Sequence, residues 1–182
     1  FHKYPQNMIL YGPPGIGKYS QAIKFISLFS QSNLKYEKKI SINYEKNEFI
    51  FRLSDVHIDI DLNNLGCNSK LVWNEFFTNV LNFISINKTH FFIICKNFHT
   101  IHNELHDVFY SFMQTIPNIK YKLYFILITS NISFLNPNIL SSSYIINLQR
   151  PTKNSYSYFH NIKNIDINTI TSIKSLKSNT NI

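Results

Sequence analysis

Apolar positions along this chain follow two different periods, and the period switches mark its elements. Met8, Ile9, Leu10 and Tyr11 form a short apolar run that reads as a buried strand. Between residues 17 and 30, Ala22, Ile23, Phe25, Ile26 and Phe29 recur at helical spacing. A charged break at 35–39 follows. Ile40–Asn43 and Phe49–Leu53 read as strands flanking a polar turn over 44–48. Val56–Leu62 alternates strictly. Val56, Ile58, Ile60 and Leu62 share one face, and His57, Asp59 and Asp61 share the other. That pattern predicts a half-buried strand whose outer face is polar.

After a turn at Gly66, residues Trp73, Phe76, Phe77, Val80, Leu81 and Ile84 lay an apolar stripe along a helix over 71–86. Phe91–Cys95 is apolar throughout and reads as a second buried strand. Leu105, Val108, Phe109, Phe112, Met113 and Ile116 predict a helix over 101–116, which Pro117 ends. Leu123–Ile128 and Tyr144–Leu148 read as a third and a fourth buried strand. Strands that alternate with helices and are apolar on both faces predict an α/β fold with a mostly parallel sheet. The 123–128 strand is expected beside the 8–11 strand. Beyond Pro151 the chain turns polar, with weak helical spacing at Ile162, Ile165, Ile170 and Ile173. That tail is too short to bury a core of its own. There is no internal repeat.

The chain has 182 residues, 44% of them hydrophobic, which suits one domain or one domain with part of a second. It opens on Phe1 rather than Met, as a fragment of a longer chain would. No apolar run is long enough to span a membrane, and no secretory leader is visible. Cys67 and Cys95 lie far apart, and Cys95 ends an apolar run. A buried thiol in a reducing, intracellular compartment fits better than a disulfide framework. The net charge of +8 and pI near 9.4 favour a polyanionic partner. Asn fills roughly one position in eight and Gly and Ala are scarce. Such an AT-rich coding bias raises Lys without any function, so charge alone leaves nucleic-acid contact open.

The candidate chemistry lies in Gly12-Pro13-Pro14-Gly15-Ile16-Gly17-Lys18-Tyr19-Ser20, between the first strand and the first helix. Gly12, Gly17 and Lys18 fit the phosphate-binding pattern G-x-x-x-x-G-K-[ST], and Gly15 adds a further flexible position. Glycines let backbone N–H groups close on phosphates at a helix N-terminus, and the lysine adds a point charge. The last position departs from the pattern. It is Tyr19, and the hydroxyl residue that would hold Mg²⁺ comes one place late, at Ser20. A hydrolytic site of this kind also needs an acid at a strand end. Phe91–Cys95 is followed by Lys96, Asn97, Phe98 and His99, with no carboxylate.

Other groupings read as structure. His99, His102 and His106 fall at i, i+3, i+7 and suggest one solvated or interfacial helix face. Their Glu104 is misplaced for a zinc-protease helix. Asp55, Asp59 and Asp61 read as strand and turn carboxylates rather than a cation site. Trp73, Phe76 and Phe77 read as core rather than a base-stacking platform.

Several stretches together resemble the AAA+ clamp-loader small subunits. They are the loop at 12–20, the strand at 91–95, and Tyr124–Ser133 followed by Asn138–Ser143. Lys38–Ile40, His57–Asp61 and Asn64-Leu65-Gly66 look like the noncatalytic small subunit of replication factor C, which is related to bacterial delta-prime. The similarity spans about residues 7–151, and only the glycine loop is motif-grade. It implies a P-loop NTPase fold of the AAA+ type: three layers, a mostly parallel sheet with helices on both faces, and a truncated helical lid. It implies ATP or ADP as ligand, with Mg²⁺ weak or unlikely. Carried over residue by residue, Gly12, Gly15, Gly17 and Lys18 take the phosphate-loop positions. Lys96 and Asn97 stand near the acidic strand end, Ser130 takes the polar strand-end position, and Ser142 stands where an arginine finger belongs.

The resemblance implies an AAA+-like domain over 1–150 and a partial lid or tail over 151–182. The expected nucleotide contacts are Gly12, Pro13, Pro14, Gly15, Ile16, Gly17, Lys18, Tyr19, Ser20 and Ser130, with no catalytic residue. The implied function is that of a degenerate clamp-loader-like subunit, structural rather than enzymatic, in DNA replication. Its partners would be other AAA+ subunits, a sliding clamp and primer–template DNA, in the nucleus or at a viral replication site. The composition suggests a large DNA virus as source. Two alternatives stand beside this reading. One is an active P-loop ATPase that uses Ser20 and an acid elsewhere. The other is a scaffold of a viral replication complex that binds no nucleotide.

Overall fold

A computed structural model describes residues 6–44, 47–66, 69–84, 90–115 and 122–152. The strands are β1 (Met8–Tyr11), β2 (Lys38–Tyr44), β3 (Asn47–Leu53), β4 (His57–Asp61), β5 (His90–Lys96), β6 (Lys122–Thr129) and β7 (Tyr144–Asn147). The helices are α1 (Lys18–Ile26), α2 (Ser69–Ile84), α3 (Asn103–Thr115) and α4 (Pro137–Ser141). All seven strands lie in one sheet, in the order β2-β3-β4-β5-β6-β1-β7. From β4 to β7 the pairing is parallel. At one edge β2 pairs antiparallel with β3, and β3 antiparallel with β4. β6 lies beside β1, as the apolar pattern predicts, with Met8 opposite Ile126.

The fully apolar strands follow from the layering. Ile9, Phe91, Ile93, Phe125 and Leu127 pack on one sheet face with Trp73, Phe76, Phe77 and Phe109 from α2 and α3. Met8, Leu10, Phe92, Ile94, Ile126 and Ile128 pack on the other face with Ala22 and Ile26 of α1. Successive side chains alternate between the two faces, so a strand covered on both sides must be apolar at every position. Trp73 is fully buried, with ring centroids 5.3 Å from Phe76 and 4.8 Å from Phe109, so these aromatics are core. The Cys95 thiol is buried too, and burial, with the Asp59 charge, pushes its pKa up.

The structure corrects four readings. His57 and Asp59 are not on an outer face. Both are buried, because β4 pairs with β5 in register His57–Phe92 and Asp59–Ile94. That register turns them to the α1 side, where Phe92 and Ile94 meet the helix. β7 is not a buried strand. It is a sheet edge on which Tyr144 and Ile145 are exposed. The three histidines share no face: His99 precedes α3 in a 3-10 turn, His102 is exposed, and His106 is buried against Phe98. Finally, α1 ends at Ile26, where a 3-10 turn over Ser27–Phe29 replaces its predicted last turn.

The short helix α4 has no apolar period to announce it. Its signal is the Asn136-Pro137 pair: Asn136 Oδ1 accepts from the Asn138 backbone N–H, and proline sits in the first turn. The tail isoleucines, Cys67, Ile116 and Pro117 lie outside the described residues.

Candidate nucleotide site

Parallel strands place their C-terminal ends together, and loops from those ends build the cleft. β1 runs into the glycine loop, and α1 starts from it. Gly17 precedes the helix with φ 84°, a left-handed conformation that glycine adopts without strain. Gly12 is constrained differently. A Cβ there would lie 2.2 Å from the Leu148 carbonyl oxygen, so only glycine lets β7 close against the loop.

The cleft has a volume near 550 Å³. Pro14, Gly15, Gly17, Lys18 and Tyr19 form one wall, Lys96, Asn97 and His99 a second, and Ile128, Thr129 and Ser130 a third. Of the expected contacts, Pro14, Gly15, Gly17, Lys18, Tyr19 and Ser130 line it. Gly12, Pro13 and Ile16 shape the loop behind. Ser20 is exposed and does not line the cleft, being turned about 100° round the helix from Tyr19. Lys18 Nζ donates to the carbonyls of Gly12 (2.7 Å) and Pro13 (2.8 Å), and burial lowers its pKa. Ser130 Oγ sits 3.1 Å from His99 Nε2. Burial and the Lys18 charge hold His99 below its usual pKa, so it is neutral at pH 7.

Beneath this wall runs a polar string that the sequence reading did not assemble. The Tyr19 phenol donates to Asp59 Oδ2 at 2.5 Å. Lys96 Nζ lies 3.3 Å from the same oxygen and 4.8 Å from the Tyr19 ring centroid. On the far side, His57 Nε2 is 3.5 Å from Asp59 Oδ1, and Ser54 Oγ contacts His57 Nδ1 at 2.5 Å. His57 Nε2 and Asp59 Oδ1 are both buried and face each other at a separation longer than a well-formed hydrogen bond. Burial holds His57 neutral, outweighing the Asp59 charge. Burial, then the hydrogen bond to Asp59, pushes the Tyr19 pKa far up. Ser54 and His57 are buried, so they support Asp59 rather than meet a ligand. Asn97, in a left-handed conformation, donates from Nδ2 to Asp61 Oδ1 at 2.8 Å. Asp55 accepts instead from Ser30 and Ser32, away from the other two carboxylates' partners.

A nucleotide phosphate fits this cleft. Gly15 and Gly17 of the loop line it together with Lys18 and Lys96. A divalent metal does not fit. The position after Lys18 is a phenol already committed to Asp59, the residue at the end of β5 is a cation, and no described lining residue is a carboxylate.

No family model and no curated protein matches the chain. Solved structures do. C. elegans PCH-2 aligns over 83% of this chain and 37% of its own, at 15% identity and TM-score 0.56. A chain of the E. coli MS115-1 HORMA:CdnC:Trip13 complex aligns over 85% and 51%, at 13% identity and TM-score 0.59. The Thermotoga maritima RuvB Holliday junction branch migration motor aligns over 84% and 41%, at 13% identity and TM-score 0.51. The fold is that of the AAA+ P-loop NTPases. The chain spans from about two fifths to half the length of the solved chains it matches. Among its described residues, no helix is long and apolar enough to cross a membrane.

Proposed function

We propose that this AAA+ module binds ATP or ADP without hydrolysing it and serves as a structural subunit of a clamp-loader-like ring in DNA replication. One observation carries the reading. The cleft joins a glycine loop to two lysines and has no carboxylate among its described lining residues. Backbone N–H groups of residues 15–19 and Lys18 hold the phosphates, and Ser130 stands where the β6 end meets them. Water activation needs a base within hydrogen-bond reach, and the neutral imidazole among the described lining residues, His99, is engaged with Ser130 Oγ at 3.1 Å. Asp59, the carboxylate below the cleft, is 2% exposed and occupied by Tyr19 and Lys96.

In this reading residues 1–150 form the nucleotide domain and 151–182 begin a lid. The partners are other AAA+ subunits, a sliding clamp and primer–template DNA, in the nucleus or at a viral replication site. The test is nucleotide content and turnover of the purified protein. Bound nucleotide that is lost in Lys18→Ala, with no ATPase activity, supports it. Steady turnover that disappears in Lys18→Ala would overturn it in favour of an active ATPase. A protein that never carries nucleotide would leave only the scaffold.

The neighbour solved with HORMA and CdnC favours a second reading, a ring module that works on a protein partner. Purification from the native source separates the two by which proteins accompany the chain.

A further inference from the structure

The disagreement between this cleft and a metal has a positive side. We propose that the Lys96 ammonium takes the place of the divalent cation, so that the chain binds a nucleoside di- or triphosphate free of metal. The inference rests on the reading of the cleft as a nucleotide site and specifies how that site neutralises its ligand.

Lys96 closes β5, and its register partner on β4 is Asp61. Its side chain retains 26% of its exposure and lines the same cleft as Lys18. Its position is fixed from below. Asp59 Oδ2 holds the ammonium at 3.3 Å, and the Tyr19 ring lies 4.8 Å away. Asp59 is fixed in turn by the Tyr19 hydroxyl, with His57 Nε2 on its other oxygen. An ammonium carries three N–H donors. Asp59 engages one, and the opening toward the cleft leaves the others for phosphate oxygens. A cation held this way is preorganised, so little side-chain freedom is lost when the ligand arrives. The residue that would normally supply a metal ligand, here Tyr19, instead anchors the counter-carboxylate. The two departures from the metal pattern, Tyr19 for a small hydroxyl and Lys96 at the strand end, therefore share one partner, Asp59 on the neighbouring strand.

The test is calorimetric titration of the full chain with ATP and with ADP, once in EDTA and once in Mg²⁺. The expected result is tighter binding in EDTA than in Mg²⁺, with the larger difference for ATP, because Mg²⁺ draws the nucleotide into a complex that this site does not take. Lys96→Arg should keep binding in EDTA. Lys96→Met should weaken it about tenfold or more, the scale of a hydrogen bond to a charged group. Because Lys96→Met leaves Asp59 buried and unpaired, the double variant Asp59→Asn/Lys96→Met is measured too, with circular dichroism to verify folding. It should show the same loss in EDTA. Binding that requires Mg²⁺ would overturn the inference and leave the nucleotide reading standing. So would wild-type affinity in the folded double variant. Absence of binding under both conditions would sink the nucleotide reading itself, and the inference with it.

Discussion

Tyr19 shows how much a single side chain can redirect. At a position where the phosphate-loop pattern has a small hydroxyl, its phenol docks on a buried carboxylate. Tyr19→Phe keeps the ring against Lys96 but leaves Asp59 short of a donor. We expect it to lower stability by about 1–2 kcal/mol, measured by urea unfolding. The titrating residues set a second expectation. Burial holds His57, His90, His99 and His106 below the ordinary value of 6.5, so the folded state keeps them neutral. The unfolded chain binds those protons first. Stability is therefore full above pH 6.5 and is lost as pH falls through the lower folded values. Tyr19 acts at the other end. Its raised pKa gives stability that is present below about pH 10 and lost as pH rises beyond it. Thermal unfolding between pH 4.5 and 8 should show a falling midpoint on the acid side. A flat profile there would contradict the buried neutral imidazoles.

At the scale of elements, the loop between β1 and α1 depends on two glycines for different reasons. Gly17 needs its left-handed backbone, but a Cβ there meets nothing within 4 Å. Gly17→Ala should therefore cost about 1–2 kcal/mol from conformation alone. Gly12→Ala adds a collision with the Leu148 backbone, which is itself bonded to Tyr11 through Leu148 N–H at 2.8 Å. It should cost more than Gly17→Ala and loosen β7. Hydrogen exchange would show this as lost protection at Leu148, with α2 and α3 unaffected. An equal cost at both glycines would mean that β7 yields easily. The elements also show where local pattern misleads. Alternation in β4 signals a strand correctly, but alternation does not say which face meets water.

For the whole molecule, the sheet divides the labour. One face builds the aromatic core with α2 and α3, and the other carries α1 over the polar string. The β7 edge leaves Tyr144 50% and Ile145 42% exposed, beside α4, whose last turn Ser142 caps through its N–H to the Asn138 carbonyl. Within the proposed ring, Ser142 packs rather than supplies charge to a neighbour. Ser142→Arg should leave assembly unchanged on size-exclusion chromatography. Purification of the tagged chain from its native source should recover AAA+ subunits and a sliding clamp. A soluble monomer with no replication protein attached would count against the ring.

The order of the strands and of helices α1–α3, the both-sided burial of β1, β5 and β6, the aromatic core at Trp73, Phe76 and Phe77, and the glycine loop were legible in the sequence. Each rests on neighbours a few residues apart: a period of two, a period of 3.6, or a fixed motif spacing. The character of the cleft was only half legible. Tyr19 and Lys96 were visible as departures from the metal pattern, but their common partner was not. Tyr19 and Asp59 are 40 residues apart, and Asp59 and Lys96 are 37 apart. No local period links them. They meet because β4 pairs parallel to β5 in a register that turns Asp59 under α1. The same alternation that predicts a solvent-facing carboxylate becomes a buried one once a helix covers that side of the sheet. Tertiary structure alone decided that, because burial belongs to the packed layers and not to the strand.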